Sequence, residues 1–241
     1  MTKRVFIVQA RMTSTRLPGK ILMDLDGEPL LKRQLDRLKR CRTADEIVVA
    51  CTTNAADEPI AALCLREHVG LFRGSEDDVL SRYLGAAREA KADLVVRVTS
   101  DCPLICPEVC DRVVESIGDA DYASNTMKRT YPRGLDTEAF TFAALEGTAA
   151  DATSTPAREH VTWYMHTEAR NRFRVRSIED TVNHSALRWT VDVPEDLEAV
   201  RRLWMGLKLS EKSLGYRDIL AYALAHPEIA ALNVAVEQKN S

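Results

Sequence analysis

The residues best suited to chemistry are three permanent cations in one short segment. Ala10-Arg11-Met12-Thr13-Ser14-Thr15-Arg16-Leu17-Pro18-Gly19-Lys20 sets Arg11, Arg16 and Lys20 among hydroxyls and a Pro-Gly turn. Guanidinium forks and an ammonium point charge match phosphate oxygens, so the chemistry on offer is polyphosphate binding. A solvated basic loop uses the same residue types, and composition alone leaves the two open. The segment is neither G-x-x-x-x-G-K-[ST] nor G-x-G-x-x-G, so the P-loop and Rossmann readings lose support. Asp101, ahead of Cys102-Pro103, and Asp192, ahead of Val193-Pro194, are acids at breakpoints. On their own they read as a turn and a helix start.

Alternating strands and helices must position these groups. Arg4–Gln9 is a β-branched run and reads as a buried first strand. Leu30, Leu31, Leu35 and Leu38 have helical spacing. Glu46–Cys51 is a second strand, and Pro59 opens a helix carrying Ile60, Leu63 and Cys64. Val69–Phe72 is a third strand, Asp77-Asp78 open a further helix, and Asp93–Val98 is a fourth strand. This order predicts an α/β fold with a mostly parallel sheet covered by helices on both faces. The loop after the first strand then overhangs the crevice at the strands' carboxyl ends. The second half predicts a strand at Asp121–Ser124, a polar basic loop over Asn125–Asp136, and a helix over Glu159–Glu168. Strands at Phe173–Ile178 and Leu187–Val191 precede a helix opened by Pro194. Helical pieces follow from about residue 207, ending in a polar tail, Glu237–Ser241, that should fray.

Composition sets the outer bounds. The chain has 241 residues, 45% hydrophobic and 29% charged, with a net charge of −3. That is the balance of one ordinary globular domain, 1–241, with residues 207–241 as its helical extension. Near-neutrality offers no whole-molecule attraction to nucleic acid or an anionic membrane. No apolar run approaches the ~18 residues of a membrane span, and Val5–Val8 is too short for a signal peptide, so the expected location is cytoplasmic. Cys41, Cys51, Cys64, Cys102, Cys106 and Cys110 include no C-x-x-C pair and read as buried thiols.

Four segments carry a family resemblance. The segment Ala10–Lys20, with Gly27-Glu28-Pro29-Leu30, resembles the nucleotide-binding signature of the cytidylyltransferases that make CMP-sugars. The spore-coat polysaccharide F-type group and the 3-deoxy-manno-octulosonate (Kdo) cytidylyltransferases match best. Arg73-Gly74-Ser75-Glu76-Asp77-Asp78-Val79-Leu80 resembles a spore-coat-group segment. Ser100-Asp101-Cys102-Pro103-Leu104-Ile105 and Arg188-Trp189-Thr190-Val191-Asp192-Val193-Pro194-Glu195-Asp196-Leu197 are similar to the family's two metal segments. The four stand in the family's order between about residues 4 and 204.

The resemblance implies a three-layer α/β/α sandwich of the nucleotide-diphospho-sugar transferase type. It also implies an enzyme that moves CMP from CTP to a sugar in surface polysaccharide synthesis, releasing pyrophosphate, and a homodimer. Ala10, Arg11, Ser14, Arg16 and Lys20 would then hold the triphosphate, with Arg11, Lys20 and Asp101 acting in catalysis. Arg73 and Ser75 would read the base or ribose. Asp101 and Asp192, each ending a predicted strand at the same edge, would hold Mg²⁺, which accepts carboxylate and phosphate oxygens together. For the acceptor, Arg133, Arg158 or His160 would meet an acidic sugar's carboxylate, and Asp136 or Glu138 its hydroxyls. Tyr131–Glu138 resembles the spore-coat group more than the Kdo enzymes, which leaves Kdo itself open as acceptor.

Two other classes compete. A glycosyltransferase of the same sandwich would need a metal-binding Asp-x-Asp, and Asp24-Leu25-Asp26 and Asp119-Ala120-Asp121 offer the string, although both read as turns. The other is a non-catalytic nucleotide-binding subunit, against which the phosphate loop together with both aspartates intact argues.

Overall fold

A computed structural model describes residues 2–237 of the chain. Of the tail expected to fray, only Glu237 lies within the described residues. β1 (Arg4–Gln9) is central. Its side chains alternate, with Phe6 and Val8 in one core and Val5 and Ile7 in the other. All four are fully buried, as a strand covered on both faces requires. A hairpin of β2 (Asp24–Leu25) and β3 (Glu28–Pro29) leads into α1 (Leu30–Leu38), whose leucines are buried as their spacing predicts.

β4 (Glu46–Thr52), α2 (Glu58–Arg66), β5 (Gly70–Gly74), α3 (Val79–Glu89) and β6 (Leu94–Thr99) continue the predicted alternation. Pro59 sits in the first turn of α2, and Asp78 caps α3 by accepting from the Ser81 amide at 2.9 Å. β5 begins one residue and ends two residues later than the predicted strand. α4 (Pro107–Glu115), β7 (Tyr122–Ser124), β8 (Glu138–Thr141), α5 (Phe142–Asp151), α6 (Thr155–Glu159) and β9 (Val175–Ser177) follow. The last helices are α7 (Pro194–Leu207), α8 (Tyr216–Ala225) and α9 (Pro227–Ala231).

The seven-stranded sheet runs β5-β4-β1-β6-β8-β7-β9. β8 lies antiparallel to both neighbours, while β1, β4, β5 and β6 are parallel and β9 is parallel to β7. Hence the carboxyl ends of every strand but β8, and the amino end of β8, meet along one edge. The helices α1, α2 and α4 cover one face, and α3, α5 and α6 the other, giving the predicted three layers. Helices α7–α9 close a third core with Leu30, Leu104 and Trp189.

Three local expectations are corrected. Leu187–Val191 is extended but is not a strand of the sheet; a single bridge joins Arg188 to Arg133. Its backbone partners lie in loops: Trp189 N–H donates to Arg133 C=O at 2.7 Å and Val191 N–H to Asp101 C=O at 2.8 Å. The helix expected over Glu159–Glu168 is broken. α6 ends before His160, Val161 adopts φ +47°, and a wide π-type turn, Tyr164–Glu168, follows. The break turns the Thr162 hydroxyl onto the Glu138 carboxylate at 2.6 Å. Finally, β8 and α5 lie where no strand or helix was expected.

Candidate active site

The loop after β1 is tied down at both ends of its turn. Gly19, at φ +69°, donates to the Met12 carbonyl at 3.0 Å. Met12 N–H in turn donates to Asp57 at 2.8 Å. Asp57 is fully buried and also accepts from the Thr52 amide and hydroxyl, at 2.9 and 2.6 Å. A carboxylate with these three donors is a rigid post joining the ends of β1 and β4. Glu76 braces the loop's outer side, accepting from Thr13 at 2.6 Å and lying 3.7 Å from Arg11. Neither Asp57 nor Glu76 was expected to have this role.

The chain then brings Lys20 deep into the crevice. Its Nζ donates to Asp101 Oδ2 at 3.1 Å, Asp192 Oδ1 at 2.9 Å and the Val191 carbonyl at 2.7 Å. Burial opposes the ammonium's charge, but the two carboxylates outweigh it and hold Lys20 above the usual lysine range. Burial likewise opposes the Asp101 carboxylate, yet Lys20 and the Thr99 hydroxyl keep it below the usual carboxylate range. Asp101 stands just beyond the carboxyl end of β6. Asp192 reaches the same point by a different route from the one predicted. It follows the extended segment 187–191 and is set by the start of α7, where Asp196 accepts from the Asp192 amide at 2.9 Å. Arg16 and Arg188 both pair with Asp192 Oδ2, each at 2.8 Å. Arg188 also holds Asp196 at 2.8 Å.

Asp101 and Asp192 also line a cavity of about 1040 Å³. Arg133, Asp136, Glu138 and His160 line it as well, so four of the five residues expected to meet the acceptor converge there. Arg158 does not line it; its guanidinium is committed to the Asp78 carboxylate and the Ala149 carbonyl. Arg129 forks onto Asp136, Lys128 pairs with Glu179 at 2.7 Å, and Arg97 pairs with Glu138. Glu138 additionally accepts from Tyr122 and Thr162, each at 2.6 Å. Arg133 has no carboxylate partner among the described residues. Burial and the neighbouring Arg129 lower its pKa, as expected for a cation facing other cations. Sequence reasoning missed Arg97, Trp163, His166 and Arg170, which also line the cavity. His166 stacks on Tyr122 with ring centroids 5.6 Å apart.

The nucleotide-loop residues are less uniform. Ala10 is buried and donates to Ala50 C=O at 3.1 Å, and Ser14 lies on the same loop. Arg73 and Ser75 stand beyond Thr52 along the same edge. Arg73 is committed to Glu58 and to the Thr52 and Asn54 carbonyls, and Ser75 accepts from the Asp78 amide at 3.1 Å.

Both Asp-x-Asp strings lie elsewhere. Asp24 and Asp26 flank the β2–β3 turn, with Asp26 accepting from Ser210 and Arg201 holding the Asp24 carbonyl. Asp119 and Asp121 face Arg174 and Arg176 beside the amino end of β7. All six cysteines are buried and unbridged.

A cation-lined crevice at the carboxyl edge of this sheet, with two convergent aspartates beside a large polar cavity, suits a nucleotidyltransferase. A family model for cytidylyltransferases matches residues 5–225. The chain therefore belongs to the cytidylyltransferase family. It is 31% identical to the spore coat polysaccharide biosynthesis protein SpsF of Bacillus subtilis, over 85% of this chain and 87% of that one. A cytidylyltransferase structure from Leptospira borgpetersenii superposes with a TM-score of 0.89 at 30% identity, covering all of both chains. A CMP:2-keto-3-deoxy-manno-octonic acid synthetase complexed with CTP superposes with a TM-score of 0.66 at 19% identity, over 86% of this chain and 100% of that one. The last likeness speaks to the shared nucleotide-diphospho-sugar transferase sandwich alone. Among the described residues, no helix is long and apolar enough to cross a membrane.

Proposed function

We propose that the protein transfers CMP from CTP to an acidic sugar, releasing pyrophosphate, with Mg²⁺ as its cation, in surface polysaccharide synthesis. The observation that carries this reading is the convergence of Lys20, Asp101 and Asp192 between a cationic loop and a cavity with an unpaired arginine. The CTP in the synthetase complex and the polysaccharide role in the SpsF name support the same direction. In this reading the loop 10–20 holds the triphosphate, and Arg11, Arg16 and Lys20 offset charge that grows on the departing pyrophosphate.

The residues present fit a divalent cation. Asp101 Oδ2 and Asp192 Oδ1 already converge on one positive charge, the Lys20 ammonium. Among the described residues no group of three or more His, Cys, Asp or Glu side chains is placed to hold a metal. Two carboxylates completed by phosphate oxygens and water suit Mg²⁺ rather than an all-protein cage. When bound, the cation would polarise the α-phosphate and lower the pKa of the attacking hydroxyl.

Arg133 is placed to meet the sugar's carboxylate, and the loop 125–136 that carries it starts at the carboxyl end of β7. Glu138, ionised and held by three donors, is buttressed for a structural task more than for proton transfer. Its sequence-based role as a hydroxyl partner therefore passes to Asp136 and Thr162. Single-domain organisation, a homodimer and a cytoplasmic location complete the proposal.

The test is pyrophosphate release on mixing the protein with CTP, Mg²⁺ and a panel of acidic sugars. Release with at least one acceptor, lost in Asp101→Asn while the thermal unfolding profile persists, is the expected result. Release of a nucleoside diphosphate from a nucleotide sugar, with no pyrophosphate from CTP, would overturn the reading in favour of a glycosyltransferase.

A further inference from the structure

The two carboxylates at the centre of the crevice are fully engaged by protein groups. Each has one oxygen held by neutral or cationic neighbours. Asp101 Oδ1 accepts from Thr99 at 2.6 Å and from Cys102 at 3.4 Å. Asp192 Oδ2 is held by Arg16 and Arg188. The oxygens left over, Asp101 Oδ2 and Asp192 Oδ1, are the two that the Lys20 ammonium bridges. A third bond, to the Val191 carbonyl, fixes the ammonium between them. The Lys20 and Asp192 side chains are only 10% and 9% exposed, so they form a largely buried ion cluster rather than a surface pair.

The charge count points the same way. Among the described residues, Arg16, Lys20 and Arg188 face Asp101, Asp192 and Asp196, three cations against three anions. A divalent cation entering this cluster alone would leave it with two uncompensated positive charges in a low-dielectric setting, which is unfavourable. Departure of the ammonium and entry of an anion with the metal each offset that charge. A triphosphate is such an anion, and the displaced ammonium has its oxygens to meet.

We infer that Lys20 is the resident counter-ion of Asp101 and Asp192, and that it excludes a divalent cation from them until a nucleotide triphosphate arrives to draw the ammonium away. This rests on the reading of those two aspartates as the cation's carboxylates. Lys20 thus has two successive partners, the carboxylates before binding and the phosphates after it, and metal and nucleotide enter together.

Mn²⁺ alone, titrated into the nucleotide-free full chain, tests the inference. Free Mn²⁺ is read by its paramagnetic resonance signal, so no turnover is involved. Lys20→Met removes the ammonium. Lys20→Gln removes the charge but keeps a donor for one carboxylate, and carries the comparison if the methionine variant does not fold. Either variant should bind one Mn²⁺ at least about 10-fold more tightly than wild type, because two charge-assisted hydrogen bonds no longer compete. Adding Asp101→Asn to the variant should abolish the gain.

Equal Mn²⁺ affinity in wild type and both variants would overturn the inference, as would a gain that survives Asp101→Asn. The proposed reaction fails separately. Absence of pyrophosphate release sinks it whatever the Mn²⁺ titration shows, and a wild type that binds Mn²⁺ freely without nucleotide sinks only the counter-ion role.

Discussion

Gly134→Ala is the most discriminating single perturbation, because one methyl group tests how the loop 125–136, proposed to meet the acceptor, is fixed to the segment that leads to Asp192. Gly134 has φ +100°, and a Cβ there would stand 2.6 Å from the Trp189 carbonyl carbon, 2.7 Å from the Thr190 nitrogen and 2.8 Å from the Trp189 oxygen. Real side chains do not approach backbone so closely, so the segment 188–190 must move. That segment carries Arg188 and leads to Asp192, while the residue before Gly134 is Arg133. Strain at this φ costs about 1–3 kcal/mol, and overpacking a further 1–3 kcal/mol.

Even the lower ends, roughly 2 kcal/mol together, lower Tm by at least about 4 °C in a chain of this size. Gly27→Ala is the control. It has φ +83°, but nothing lies within 4 Å of its added Cβ, so only the strain applies. Differential scanning calorimetry should therefore place Gly134→Ala below Gly27→Ala, and steady-state kinetics should show a raised acceptor KM in the former alone. Equal Tm values would refute the close approach of the loop to segment 188–190. Unchanged acceptor KM despite a lowered Tm would refute its role in shaping the cavity.

Two further outcomes follow from the cavity's charges. Arg133→Ala should raise the acceptor KM about 10-fold or more while leaving the CTP KM within about twofold, since a charge-assisted bond to a carboxylate is worth about 1.5–3 kcal/mol; a matched rise in both would move Arg133 out of the acceptor pocket. Burial lowers the pKa of His160 and His166 below the usual histidine range, opposed by Glu138 at both and by Glu159 at His160, and aided by Arg97. A bound anion favours their charged forms and raises those pKa values. Acceptor affinity should therefore strengthen as pH falls toward and below the ordinary histidine pKa of about 6.5, and a double His160→Gln, His166→Gln variant should lose this pH dependence in isothermal titration. Affinity that weakens over that range would reverse the sign and exclude an anionic group near the histidines.

What the sequence made legible is what it carries in contiguous stretches. The cationic loop, Asp101 and Asp192 sit in segments whose composition and order mark them, and the parallel half of the sheet follows from β-branched runs separated by helical periodicity. The less legible parts depend on partners distant in sequence. Asp57 reads as a helix-opening acid, and nothing near it in sequence announces that it anchors Met12, 45 positions away. Arg97 lies inside an apolar run, and its partner Glu138, 41 positions on, opens a four-residue strand too short to show a period. The break at Val161 opposes a sound local pattern, because the tertiary bond from Thr162 to Glu138 outweighs helix continuity.

The predicted strand at Leu187–Val191 fails for a related reason. The run has the right residues for a strand, yet the groups it pairs with, Arg133 and Asp101, belong to the two loops that frame the cavity. Its backbone serves as a brace between the Arg133 loop and the Asp101 loop instead of as a rung of the sheet. That brace also supplies the Val191 carbonyl to Lys20, and its last turn presents Asp192. A strand would have fixed Asp192 at the sheet edge. A braced loop held by Arg188 and Asp196 fixes it instead beside the Lys20 ammonium, with both arginine and lysine partners on its two oxygens.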